Sequence, residues 1–143
     1  MTPVDVADEI AAAVCVLSRH RIGAIILLEP AATVDGGLLL DALVSRAVLI
    51  AIAVPERINA LHHGAIVIRG DRVERSGVPL SWADVVTHAA DLAFATAVAV
   101  NEDAGEIRIA NRTGAVTRVA HYELIEVLRL HVFALARSAD GAR

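Results

Sequence analysis

An α/β domain built on a mixed sheet is the fold class this sequence predicts, and three observations predict it. Ile22 to Leu28 is a short, continuously apolar, β-branched run of the kind found in strands buried on both faces. Such runs alternate with stretches whose apolar residues recur every three and four positions, the period of an amphipathic helix. Gly70-Asp71, between two apolar runs, reads as a hairpin turn, so the sheet contains antiparallel pairs. At 143 residues the chain has the size of one domain with a core of its own.

Taken in order, Thr2-Pro3-Val4-Asp5 offers a capping hydroxyl, a proline at the first helical position and an acid three residues after the cap. Val6, Ile10, Val14 and Leu17 then form one apolar face, which predicts a helix over residues 3 to 20. The Ile22 to Leu28 strand ends at Glu29-Pro30 and belongs at the centre of the sheet. Asp35-Gly36-Gly37 marks a turn, and a helix is expected from about Ser45 to Ala53. Gly64 to Arg69 and Arg72 to Val78 are the two strands of the hairpin. Trp82 to Ala93 reads as helix, followed by strands at Ala95 to Val100, Glu106 to Ala110 and Ala115 to Val119, with turns at Asp103-Ala104-Gly105 and Arg112-Thr113-Gly114. A closing helix from Tyr122 to Arg137 carries Ile125, Leu128, Val132 and Leu135 on one face. The expected organisation is a single domain over residues 1 to 137 and a flexible tail over 138 to 143.

Composition narrows the function. The formal net charge of −4 argues against general binding to nucleic acid. All thirteen basic residues are arginine, which excludes Schiff-base chemistry and a phosphate-loop lysine. The single cysteine, Cys15, excludes an internal disulfide and falls in an apolar helical stretch, where a core role is expected. The N-terminus lacks the basic and apolar regions of a secretory signal, and the longest uncharged runs, Ile58 to Ile68 and Leu92 to Asn101, are too short to span a bilayer. A cytoplasmic protein is expected.

Candidate chemistry is sparse. His62 and His63 are adjacent, but neighbours on an extended segment point to opposite sides and no acid or cysteine stands at ligand spacing, so no metal site is assigned. His121 and His131, on or beside the last helix, are expected to be solvated or hydrogen-bonded. Gly36-Gly37 and Gly64-Ala65 are places where backbone can approach a ligand closely. Asn101-Glu102-Asp103 is the best acidic cluster, since it follows a strand at the edge where α/β sheets bind ligands, although a solvated turn is the preferred reading of it. No nucleotide fingerprint, phosphate-binding loop or nucleophile elbow is present.

Read as an ordered series, however, the segments resemble the diadenylate cyclase domain, the family that condenses two ATP molecules into cyclic di-AMP. Arg21-Ile22-Gly23-Ala24-Ile25-Ile26-Leu27-Leu28-Glu29 is similar to the family's Arg-x-Gly-Ala-Leu-Ile-Val-x-Glu strand. Gly37-Leu38-Leu39-Leu40-Asp41-Ala42-Leu43-Val44-Ser45 is similar to its Gly-x-x-Leu-Asp-Ala-x-Val-Ser stretch. His62-His63-Gly64-Ala65 stands where the family has His-Asp-Gly-Ala, and Val78-Pro79-Leu80-Ser81 resembles its Leu-Pro-Leu-Ser. The resemblance runs from about residue 4 to residue 110.

It implies a diadenylate-cyclase-like fold and departs from the family at the chemistry. The family's metal-binding Asp, which activates the ribose hydroxyl, is replaced by His63. Its Arg-His-Arg segment, which handles phosphates, falls at Thr87-His88-Ala89, where only the histidine is kept. Thus His63 and His88 are the degenerate catalytic positions, and the implied nucleotide-binding residues are His63, Gly64, Ala65, Thr87, His88 and Glu102. The expected function is binding of an adenine nucleotide, ATP or cyclic di-AMP, with weak or no synthesis. Two alternatives stand beside it: an active cyclase, which would use Mg²⁺ or Mn²⁺ and need a homodimer, and a non-catalytic oligomerisation module. A homo-oligomer or a family partner is expected in each case.

Overall fold

The computed structural model describes residues 5–55 and 64–130. Helix α1 (Val6–Arg19) leads into strand β1 (Ala24–Leu28), then β2 (Leu38–Leu43), α2 (Arg46–Ala53), β3 (Ala65–Arg69) and β4 (Arg72–Val78). Two short helices, α3 (Trp82–Thr87) and α4 (Ala89–Leu92), precede β5 (Thr96–Val100), β6 (Ile107–Asn111) and β7 (Val116–Val119). Residues 121–130 form α5, and the expected continuation of this helix and the tail lie outside the described residues.

The strands make one seven-stranded sheet in the order β2-β4-β3-β1-β5-β6-β7. Central β1 is parallel to β3 and antiparallel to β5, while every other pair is antiparallel. The expected mixed α/β domain with flanking helices is therefore the observed one.

Because successive strand residues point to opposite faces, each strand feeds two layers. Ile26, Leu28, Ile66, Ile68, Val98, Val100, Ile107 and Ile109 meet Ile10, Val14 and Leu17 of α1, Leu49 and Ile52 of α2, and Leu124 and Leu128 of α5. Leu27, Val67, Ala65, Ala97 and Ala110 pack on the other side with Val85, Ala89 and Phe94, under α3 and α4. Cys15 is half-buried against the first layer, and that burial pushes its thiol up, as suits a packing residue rather than a nucleophile.

Local expectations are corrected at three places. Asp5 caps α1, where the sequence places it inside the first turn: its carboxylate accepts from the Asp8 N–H at 3.1 Å and the helix runs from Val6, while Thr2 and Pro3 lie outside the described residues. The stretch after Gly37 contains an unexpected edge strand, β2, paired antiparallel to β4. The single helix expected from Trp82 to Ala93 is broken at His88, whose φ of −103° and ψ of 23° leave helical geometry. The apolar spacing of Val85, Val86, Ala89 and Leu92 runs on through the break, which hides it from a periodicity argument.

Candidate functional site

The face under α3 is where the sheet leaves space. Register aligns Ala65 with Ile25, Ile25 with Ala99, and Ala99 with Arg108, so one side chain from each of β3, β1, β5 and β6 stands in a row. Two of the four are alanines. At about 4.8 Å between strands the row is about 14 Å long. A cavity of about 600 Å³ opens above it, lined by Ile25, Ala99 and Arg108, and wraps round the sheet edge to Ala53 and Pro55 at the end of α2. That volume lies in the ordinary range for small-molecule sites.

Gly64 lines the cavity where β3 begins. Its φ is +92°, and a Cβ there would overlap the carbonyl oxygen of Val78 at the end of β4, so no other residue brings β3 and β4 together at this corner. Glu102 stands at the carboxyl end of β5, against Gly23: an added Gly23 Cβ would lie 3.5 Å from the Glu102 carboxylate. The loop carrying Glu102 is fixed from two directions. The Asn101 side chain accepts from the Asp103 N–H at 2.7 Å, an Asx turn, and the Gly105 N–H donates to the Asn101 carbonyl at 2.7 Å. Ser18 at the end of α1 donates its hydroxyl to the Gly105 carbonyl and meets His121 Nε2 at 2.8 Å. The hydrogen-bonded role expected for His121 is the observed one.

Trp82 enters the cavity from α3 while packing on the second core layer. Its helix starts in a reciprocal box: Ser81 Oγ accepts from the Asp84 N–H at 3.1 Å, and the Asp84 carboxylate accepts from the Ser81 N–H at 2.9 Å. That backbone hydrogen bond holds the Asp84 carboxyl below its ordinary value. Two cations complete the wall, Arg21 and Arg108. Arg108 donates to Glu106 at 3.0 Å, and Arg118 pairs with the same carboxylate, so the cluster of three carries a surplus positive charge. Arg21, with a φ of +53°, has no ion-pair partner among the described residues.

Of the residues singled out from sequence, Gly64 and Glu102 come together on this cavity. Ala65 is fully buried next to Gly64. Thr87 and His88 are exposed at the far end of α3 and do not line the cavity, and His88 faces Asp91 at 3.8 Å. His63 lies outside the described residues. Gly36-Gly37 packs against β4 and Pro79 instead of facing the cavity. Sequence reasoning overlooked Arg21, Trp82 and Arg108. Signals existed for each: Arg21 opens the matched strand segment, Trp82 is the sole tryptophan and follows a capping serine, and Arg108 interrupts an Ile107–Ile109 alternation.

The fold and cavity define a class, and comparison with known proteins identifies it. The profile of the DAC family, described as DisA bacterial checkpoint controller nucleotide-binding, matches residues 11–123, and the chain belongs to that family. Among solved structures, a double mutant of DacA from Staphylococcus aureus superposes with a TM-score of 0.78 at 22% identity, over 88% of this chain and 94% of that one. A hypothetical membrane spanning protein from Bacillus cereus superposes with a TM-score of 0.70 at 19% identity, over 82% of this chain and 64% of the other. No curated protein matches significantly. Among the described residues, no helix is long and apolar enough to cross a membrane.

Proposed function

We propose that this chain is a diadenylate-cyclase-like domain that binds an adenine nucleotide, ATP or cyclic di-AMP, in the cavity between Gly64 and Glu102, with weak or no synthesis. The observation that carries the reading is the cavity itself: about 600 Å³, in a DAC-family fold, lined by two glycines, an aromatic ring, two carboxylates and two arginines. Gly64 lets the ligand approach the backbone. Glu102 accepts hydrogen bonds from ribose hydroxyls or a base amine.

Weak synthesis follows from three positions. Where the family has a metal-binding Asp this chain has His63, and where it has the two phosphate arginines it has Thr87 and Ala89. Phosphoryl transfer depends on positioning and on neutralising developing charge, so these losses together reduce the rate by many powers of ten. The described residues hold no cluster of three metal-ligating side chains. Mg²⁺ or Mn²⁺, called for if the domain is active, would come with the nucleotide phosphates and would supply charge neutralisation there. A homo-oligomer and a cytoplasmic place belong to the same proposal.

Isothermal titration of wild type and His63→Asp with ATP and with cyclic di-AMP, each with Mg²⁺ and with Mn²⁺, tests the reading. Micromolar binding that tightens in His63→Asp is the expected result. No heat and no thermal shift with either nucleotide overturns it. Efficient formation of cyclic di-AMP by wild type would instead establish an active cyclase. A non-catalytic interaction module is the second reading, favoured by the exposed leucines on the sheet edge, Leu38, Leu39 and Leu43 of β2. A shift of a wild-type oligomer to monomer in Leu39→Arg would support it.

A further inference from the structure

The cavity has two chemically different ends. At the β3 end, Trp82 follows Val78 by four residues, and the Val78 carbonyl is the group against which Gly64 is pressed. At the opposite end, two strands beyond β3 and β1, Arg108 rises from β6 beside the carboxyl end of β5. The row between them, floored by Ile25 and Ala99, is about 14 Å long by the ordinary strand spacing. An indole ring offers a flat apolar face to a nucleobase. A guanidinium offers a planar fork to phosphate oxygens.

We infer that a phosphate-bearing nucleotide lies along this row with its base on Trp82 and its phosphates between Arg108 and Arg21. The inference rests on the nucleotide-binding reading and adds an orientation and an anion clamp. The clamp is built from residues other than Thr87, His88 and Ala89. The charge arrangement fits it. Glu106 is shared by Arg108 and Arg118, so Arg108 can turn a donor toward a phosphate without stranding the carboxylate. Arg21 makes no ion pair among the described residues, although Glu102 and Asp103 line the same cavity. Glu102, near the middle of the row at the end of β5, is left to meet the ribose.

The sole tryptophan of the chain is Trp82, so its emission reports directly on the base end. Wild-type protein is titrated with adenosine, AMP and ATP in metal-free buffer, following both Trp82 fluorescence and calorimetric heat. Adenosine and ATP should both change the emission, and ATP should bind at least about tenfold more tightly, as expected of charge-assisted contacts. In Arg108→Gln the preference for ATP over adenosine should fall to about twofold or less, with adenosine affinity unchanged, and Arg108→Lys should regain part of it. Arg129→Gln, whose arginine pairs with Asp5 at the cap of α1, serves as a control and should behave as wild type. If the ATP preference survives in a folded Arg108→Gln protein, or calorimetric saturation leaves Trp82 emission unchanged, the orientation is wrong while nucleotide binding stands. If neither nucleoside nor nucleotide binds the wild type, the nucleotide reading fails and the orientation fails with it.

Discussion

The two faces of the sheet are made by the same strands, residue by alternate residue, yet they are finished differently. Under α1, α2 and α5 the strands present isoleucine, leucine and valine at almost every inward position. Under α3 and α4 they mix Leu27, Val67 and Val78 with Ala65, Ala97 and Ala110, with Ala99 on the cavity wall, and the covering helices are only six and four residues long. The first face is filled by large side chains and long helices and holds the fold together. The second carries several alanines in its floor and short helices as its roof, and at its open end a ligand-sized space remains. The cost of a substitution should therefore depend on which face it meets, and binding should follow the opposite pattern.

Breaking the filled face should have the largest effect. Ile26→Ala, at a site 1% exposed, should lower unfolding free energy by about 4 kcal/mol, read by chemical denaturation. Next comes Gly64→Ala, which forces an L-residue into a φ of +92° and drives its Cβ into the Val78 carbonyl. A loss of about 3 kcal/mol is expected by the same measurement, with the cavity corner displaced. Ser81→Ala removes the α3 cap and should cost about 1 kcal/mol, together with a shift in Trp82 emission.

The Asp84 half of that cap makes the roof pH-sensitive. Its carboxyl is depressed in the folded state by the Ser81 backbone hydrogen bond, so its contribution is intact above the ordinary value of 3.8 and is lost as pH falls through the folded pKa. Trp82 emission should change in that acid range, and Asp84→Asn should abolish the step. Ala99→Leu sharpens the contrast most, because its stability effect should be the smallest, under about 1 kcal/mol, since the cavity accommodates the added carbons. The response of Trp82 to ATP should nevertheless disappear.

The filled face was legible in the sequence because its residues carry their own period. Val14 and Leu17 sit at helical spacing, and Ile22 to Leu28 is apolar throughout, so α1 and β1 needed no partner to be recognised. Strand β2 was not legible for a physical reason. It is an edge strand with a register shift between Leu39 and Ala42, and half-buried Leu40 and Ala42 alternate with exposed Leu39, Asp41 and Leu43, so leucines stand on both faces and the sequence shows no apolar–polar alternation. The site divides in the same way. Gly64 and Glu102 stand out locally, as a small residue before a strand and an acid after one. Arg108 acquires meaning only from pairing: its place in the row depends on Ala99, nine positions earlier, and through it on Ile25. Thr87 and His88 could be placed on a helix from sequence, but only the packing of that helix on the sheet sets its Trp82 end, and not its Thr87 end, at the cavity.

The central position of β1 also governs how the protein can be made. Its Ile26 pairs with Ile66 on one side and Val98 on the other, so its two neighbours are translated 40 and 72 residues later. At about 5 to 20 residues per second, the most apolar strand of the chain waits about 4 to 14 seconds on the ribosome before β5 is synthesised. During that interval its backbone donors and its leucines are open to any extended segment nearby. The order of synthesis therefore makes β1 the strand that stays half-paired longest, until the second half of the sheet emerges.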